Sequence, residues 1–306
     1  MIHAQGLRKR YGDVVAVDDL TFAIKPGIVT GFLGPNGSGK LTTMRMIVGL
    51  DAPTSGSVSV NGMRYAGHSA PIHEVGALLE AKAIHPGRTA RNHLLCIAAT
   101  TGIPATRIDE VLGLVGLSDV ASKRTKGFSL GMGQRLGIAA ALLGDPATII
   151  LDEPTNGLDP EGILWVRHLL RSLAGEGRTV LVSSHLMAEM ALTADHLIII
   201  GKGKMMADVS VADFTQQAAR DLVHVRTADP QRLTTLLAGP RAQITAVGPG
   251  RLDIAGLTCE AIGDIAAANG LAIYELIPHQ ASLEEAFMDM TKDAVEYRTT
   301  PTGVAA

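Results

Sequence analysis

The 306-residue chain is long enough for two domains and at least one sizeable buried core. With 46% hydrophobic residues, 19% charged residues and 34 glycines it is a turn-rich globular protein, not a disordered one. A formal net charge of −3 provides no global basic field to recruit nucleic acid, and no nucleic-acid partner is expected.

The first eleven residues carry charge but lack the apolar centre of a signal peptide. Within them, Arg8-Lys9-Arg10 reads as a solvated edge. Residues 14–24 mix β-branched and apolar side chains and stop at Pro26-Gly27, a strand followed by a turn. Residues 29–33 form a short apolar run, then come the glycines between Gly34 and Gly39. Residues 40–50 place Met44, Met46, Ile47 and Leu50 at helical spacing. Residues 56–61 alternate and end in Asn61-Gly62, which predicts a hairpin.

From 89 to 143 the pattern is helical, over 89–95, 107–117 and 136–143. Strand-like runs return at 149–151, 180–183 and 197–200, with a helix over 160–173 that has Pro160 in its first turn. Alternating strands and helices predict a parallel sheet covered on both faces, with residues 89–143 inserted into it. No apolar run approaches the roughly 20 residues of a membrane span, so any membrane role must come through a partner.

Beyond about Phe214 the pattern resets. Strand 222–226, helix 230–238, strands 243–247 and 251–255, helix 260–269 and strand 272–277 follow, then a helix over 282–290. The order β-α-β-β-α-β is that of a small ferredoxin-like α+β domain. The chain after Lys292 reads as a disordered tail. Cys96 and Cys259 have no metal-ligand spacing and read as buried or half-buried thiols of a reducing cytosol. His68, His85 and His93 show no ligand spacing either.

Two segments carry chemistry. Gly34-Pro35-Asn36-Gly37-Ser38-Gly39-Lys40 lies between a predicted strand and a predicted helix, where glycines let backbone N–H groups converge on phosphate oxygens. Lys40 would reach the β- and γ-phosphates, and the following helix adds its positive end. A hydroxyl residue that ligates Mg²⁺ normally comes next, but this chain has Leu41. An alkyl group cannot ligate a hard cation, and a water can substitute only if the leucine leaves room. Thr42 and Thr43 are hydroxyls, but each helical step turns about 100°, which suits Thr42 to the α-phosphate better than to the ion. Farther on, the strand 149–151 runs into Asp152-Glu153. Acids at that end of a strand face the ligand crevice, the first suited to Mg²⁺ through water and the second to polarising an attacking water.

Together with Pro154-Thr-Asn-Gly-Leu-Asp159, these segments resemble the nucleotide-binding domain of ABC transporters, over about residues 2–213. Ser129-Leu-Gly-Met with Gln134-Arg135 resembles the signature segment, with Leu130 and Met132 in place of the usual glycine and glutamine. The resemblance implies an α/β P-loop NTPase fold, with an antiparallel β subdomain and a helical subdomain at about 85–145. It implies domains over 1–215 and 220–292 and a tail over 293–306.

It also implies ATP and Mg²⁺ as cofactors, held by Tyr11 on adenine, by Gly34, Pro35, Asn36, Gly37, Ser38, Gly39, Lys40, Leu41, Thr42 and Thr43, and by Asp152 at the metal. Ser129, Gly131 and Asp159 would face ATP held by the opposite protomer. Glu153 and the switch residue His185 are the implied catalytic pair. Glu80 occupies the Q-loop position, where glutamine is usual. A carboxylate there would bind the metal more strongly, offsetting Leu41. Glu80 and the segment Ala281-Ser-Leu-Glu-Glu-Ala-Phe-Met resemble the bacitracin- and daunorubicin-type exporter branch. The implied assembly is a homodimer or heterodimer on a separate transmembrane permease, peripheral to the cytoplasmic side of the membrane, exporting drugs or antibiotics. Because of Leu41, a hydrolysis-impaired binding partner or sensor stands as the alternative.

Overall fold

The computed structural model describes residues 1–80, 84–218, 222–240, 242–278 and 282–292. The expected tail at 293–306 lies outside them. The chain divides into two compact units, Met1–Ser210 with the stretch from Met290 onward, and Val211–Asp289. Among the described residues no helix is long and apolar enough to cross a membrane.

The first unit opens with β1 (Ile2–Tyr11), β2 (Val14–Ile24), β3 (Val29–Leu33), α1 (Lys40–Ile47) and β4 (Ser55–Val60). It continues with α2 (Pro71–Glu74), β5 (Val75–Leu78), α3 (Ala90–Thr101), α4 (Ala105–Leu114) and α5 (Leu130–Leu142). Then come β6 (Thr148–Leu151), α6 (Pro160–Gly175), β7 (Thr179–Ser183), α7 (Met187–Thr193), β8 (His196–Gly201) and β9 (Lys204–Ser210). Strands β5-β6-β7-β3-β8 are parallel and β9 closes the edge antiparallel. Every residue of β3, β6 and β7 is buried, which is why these strands read as unbroken apolar runs. A second, antiparallel sheet has the order β2-β1-β4. One core joins both sheets: Ile2, Leu20 and Val60 meet Phe32, Ile150, Leu181 and Ile198, with Met44 and Met46 of α1 between them.

Three strands were not anticipated. In β1 only Ile2, Ala4 and Leu7 are buried, and left-handed Gly6 (φ 56°) breaks the alternation between them. β5 has four residues, and β9 is a half-exposed edge. The expected hairpin at Asn61-Gly62 does not form. Both residues are left-handed (φ 49° and 86°), but they close only a bridge between Val60 and Met63. β4 pairs on one side with β1 and ends the sheet, and among the described residues no strand returns beside its other edge. The helix expected to reach residue 50 stops at Ile47, just before left-handed Gly49. Cys96, expected at least half-buried, is exposed on α3; Cys259 is half-buried as expected.

The second unit holds α8 (Val211–Ala218), β10 (Leu222–Thr227), α9 (Pro230–Leu237), β11 (Gln243–Gly248), β12 (Arg251–Ala255), α10 (Cys259–Ala268) and β13 (Ile273–Pro278). Helix α11 (Leu283–Thr291) follows. The sheet order β11-β12-β10-β13, antiparallel throughout, is that of a ferredoxin-like unit. Its own core gathers Val223, Val225, Leu252 and Ile254 from the sheet with Leu233, Leu237, Ile262 and Ala266 from the helices.

Candidate active site

The C-terminal end of β3 delivers the chain into the glycine loop. Gly37 and Gly39 are left-handed (φ 79° and 99°), and a Cβ on Gly39 would collide with the Ala16 carbonyl of β2. One on Gly34 would strike the Ile200 carbonyl of β8. The loop therefore lies tight on both sheets, and only glycine fits those two places. Helix α1 starts at Lys40 with no side-chain cap and no acidic residue in its first turn. Its N–H groups and positive end are left for an anion.

A cavity of about 260 Å³ opens there, lined by Ala16, residues 36–42, Asp152 and Glu153. Within it Ser38 is buried, and its hydroxyl has no hydrogen-bond partner. An orphan hydroxyl in an amide-lined hollow fits an oxygen-rich ligand such as a triphosphate. Lys40 Nζ donates to the Gly34 carbonyl (2.6 Å) and the Pro35 carbonyl (3.1 Å). Thr43 is turned away: its hydroxyl is buried and donates to the Gly39 carbonyl inside α1.

The acids arrive from β6. In the parallel register Leu151 sits beside Val182, so Asp152 emerges next to Ser183 of β7. The Ser183 hydroxyl donates to Asp152 Oδ1 and accepts the Glu153 N–H at 3.0 Å. Glu153 is left-handed (φ 50°), a strained conformation for glutamate. It is held there by Ser183, by the buried Gln134 amide donating to its carbonyl (2.9 Å) and by His185, whose Nδ1 lies 2.6 Å from Glu153 Oε2. Burial raises the pKa of Asp152, opposed by the Ser183 hydrogen bond; Glu153 adds to the rise and Lys40 counters it. Burial also lowers the pKa of Lys40, while Glu153 and Asp152 pull it back up.

The metal is less well provided for. Among the described residues no three His, Cys, Asp or Glu side chains gather at one point. Leu41 lines the cavity, 44% exposed, and brings no oxygen. Exposed Glu80 does not line it and instead acts on the Arg45 guanidinium. Among the described residues the only carboxylates that line the cavity are Asp152 and Glu153, and these are the side chains there that could ligate a divalent cation.

The remaining candidates lie outside this cavity. Tyr11 is on the surface, with its hydroxyl on Asp51. Ser129 caps α5, accepting the Met132 N–H at 3.2 Å. Asp159 caps α6, accepting the Gly162 N–H at 2.9 Å. Gly131 packs so closely on the 157–158 turn that a Cβ would come within 2.9 Å of the Gly157 carbonyl. Arg135 lies over the Trp165 ring at 4.6 Å and donates to the Val115 carbonyl, tying α5 to α6 and to the end of α4.

Residues 17–156 match the ABC transporter family. The chain is 41% identical over 240 residues to the bacitracin transport ATP-binding protein BcrA of Bacillus licheniformis, covering 78% of each. The chain belongs to the ABC transporter ATP-binding proteins. It is 36% identical to the lantibiotic transport ATP-binding protein SrtF of Streptococcus pyogenes, over 68% of this chain and 90% of that one. It is 38% identical over 92% of each to YhcH of Bacillus subtilis, an uncharacterized ABC transporter ATP-binding protein.

Two solved structures share the fold of this ABC ATPase. An ATP-binding subunit of an ABC transporter superposes with TM-score 0.65 at 27% identity, covering 71% of this chain and 92% of that one. The dimeric bacterial cassette MJ0796 gives TM-score 0.64 at 25% identity, covering 69% and 99%. Residues 221–284 match a domain of unknown function, DUF8746. Sequence reasoning missed Ser183 as the residue that joins the two acids. Aligning β6 and β7 by their polar C-terminal ends would have found it.

Proposed function

We propose that this ABC ATPase is the motor of an exporter whose membrane-spanning part is a separate permease, with drugs or antibiotics as cargo. The observation that carries the catalytic reading is the shared cavity of Lys40, Asp152 and Glu153, with His185 on the Glu153 carboxylate. The names of BcrA and SrtF support the cargo class. Two copies, or this chain and a related one, would close over ATP. Each site would pair the Lys40 cavity of one copy with Ser129, Gly131 and Asp159 of the other, at the cytoplasmic face of the membrane.

In that site the loop N–H groups, Ser38 and Lys40 bind the β- and γ-phosphates, and Thr42 lies toward the α-phosphate. Glu153 orients a water and takes its proton as the water oxygen bonds to the γ-phosphorus. The bond to the bridging oxygen breaks, and ADP and phosphate leave. His185, fixed by Glu153, holds a γ-phosphate oxygen. Bound Mg²⁺ at Asp152 supplies positive charge toward the phosphate oxygens. The test is Glu153→Gln. It should abolish steady-state hydrolysis, at least about a hundredfold, while the Kd for ATP is kept. Unchanged turnover would remove Glu153 from the mechanism.

A second reading is favoured by Leu41, an alkyl side chain in the cavity where an Mg²⁺ ligand is expected. The chain would then bind ATP and pair with a competent subunit while itself hydrolysing slowly. Leu41→Ser decides: an ATPase rate higher by about tenfold or more supports the impaired reading, since 1.4 kcal/mol of recovered transition-state binding suffices. An unchanged rate shows that the ion is held without this side chain.

A further inference from the structure

The surroundings of Tyr11 are more ordered than an exposed ring requires. Its hydroxyl donates to Asp51 Oδ2 at 2.9 Å. The same oxygen receives Arg45 Nε of α1 at 2.7 Å. Lys9 places its ammonium 4.9 Å from the ring centroid and donates to the Ala52 carbonyl at 2.7 Å. One face of the ring is therefore occupied by a cation, and the hydroxyl is anchored through a carboxylate to the helix that begins at Lys40. Tyr11 as a whole nevertheless remains 47% exposed. Arg45 holds Asp51 below the usual carboxylate range, so its charge persists at neutral pH. The Tyr11 phenol pKa is raised, by burial first and by Asp51 next, with Arg45 and Thr42 acting in the opposite sense. Thr42, which acts on the phenol, also lines the phosphate cavity.

We propose that Asp51 is the positioning residue for the nucleotide base: bridged to Arg45, it fixes the Tyr11 ring with its Lys9-free face open, so that a purine stacks there while its phosphates occupy the Lys40 cavity. This rests on the reading of Tyr11 as the adenine platform. An unanchored tyrosine would have to be ordered on binding, at a cost in rotamer freedom that the Asp51–Arg45 bridge removes beforehand. The cation on the far face also makes the ring a preorganised partner on one side only.

The experiment compares the full-length protein's Kd for ATP with that for inorganic tripolyphosphate, by calorimetry in metal-free buffer. Asp51→Ala should weaken ATP about three- to tenfold, the range one ring stack provides, and leave tripolyphosphate within about twofold. Asp51→Asn, which still accepts from the phenol, should keep most of the ATP affinity. In a Tyr11→Phe background, Asp51→Ala should add nothing. Equal weakening of both ligands by Asp51→Ala would overturn the proposal, because the effect would then lie in the phosphate site or the fold. So would normal ATP affinity in Asp51→Ala beside a loss in Tyr11→Ala. Normal affinity in Tyr11→Ala would instead sink the adenine platform itself.

Discussion

Burial lowers the pKa of the Lys40 ammonium, and the Glu153 and Asp152 carboxylates restore only part of that cost. A base whose folded pKa lies below its unfolded value destabilises the fold wherever it is charged in both states. That penalty is full at neutral pH and disappears as pH rises through the folded and then the unfolded pKa. Lys40→Met should therefore raise the Tm of the ligand-free protein at pH 7, by about 2–4 °C for each kcal/mol recovered, with the gap closing in alkaline buffer. The same variant should lose ATP affinity, and a lower Tm at pH 7 would contradict the argument. At this scale the sequence was legible where chemistry is carried by consecutive residues, as in Gly34 to Lys40 and Asp152-Glu153. Ser183 and Asp51 were not legible because their partners are set by strand register and by the approach of distant segments.

Among the elements, α5 depends most on its glycines. Its mid-section lies on β5, where a Cβ at Gly137 would press on Leu78 and one at Gly76 on the Ala141 carbonyl. Its N-terminal turn lies on the 157–158 turn through Gly131. Gly131→Val should force these segments apart, lowering ATP hydrolysis by about tenfold or more while the Kd for ATP at the Lys40 cavity stays within about twofold. An unchanged rate would show that the close approach has no bearing on turnover. The strands of the first unit read from sequence, β2, β3, β4, β6, β7 and β8, are continuous or alternating apolar runs. The missed strands β1, β5 and β9 are a bulged strand, a four-residue strand and an open edge, whose few inward residues are indicated only by their neighbours. α7 was missed as well, a seven-residue helix without a side-chain cap.

The cores of the two units are assembled in different ways. The first draws its parallel strands from segments far apart in sequence, and its antiparallel sheet could be inferred only through resemblance because bulged β1 does not read as a strand. The second is built from consecutive segments, and its β-α-β-β-α-β order was readable directly. The helices α3 to α5 lie between β5 and β6, which are parallel hydrogen-bonded neighbours, so the excursion leaves at the C-terminal end of β5 and returns at the N-terminal end of the adjacent β6. Where Gly76 meets Ala141, backbone lies so close to backbone that a Cβ on Gly76 would come within 1.9 Å of the Ala141 carbonyl oxygen. From Ala141 to the Ser129 cap α5 is a rigid arm of about 18 Å, so a tilt of about 10° carries Ser129 through about 3 Å. In the proposed pairing of two copies, a small displacement at the root would therefore decide, at the tip, whether Ser129 reaches the facing phosphate.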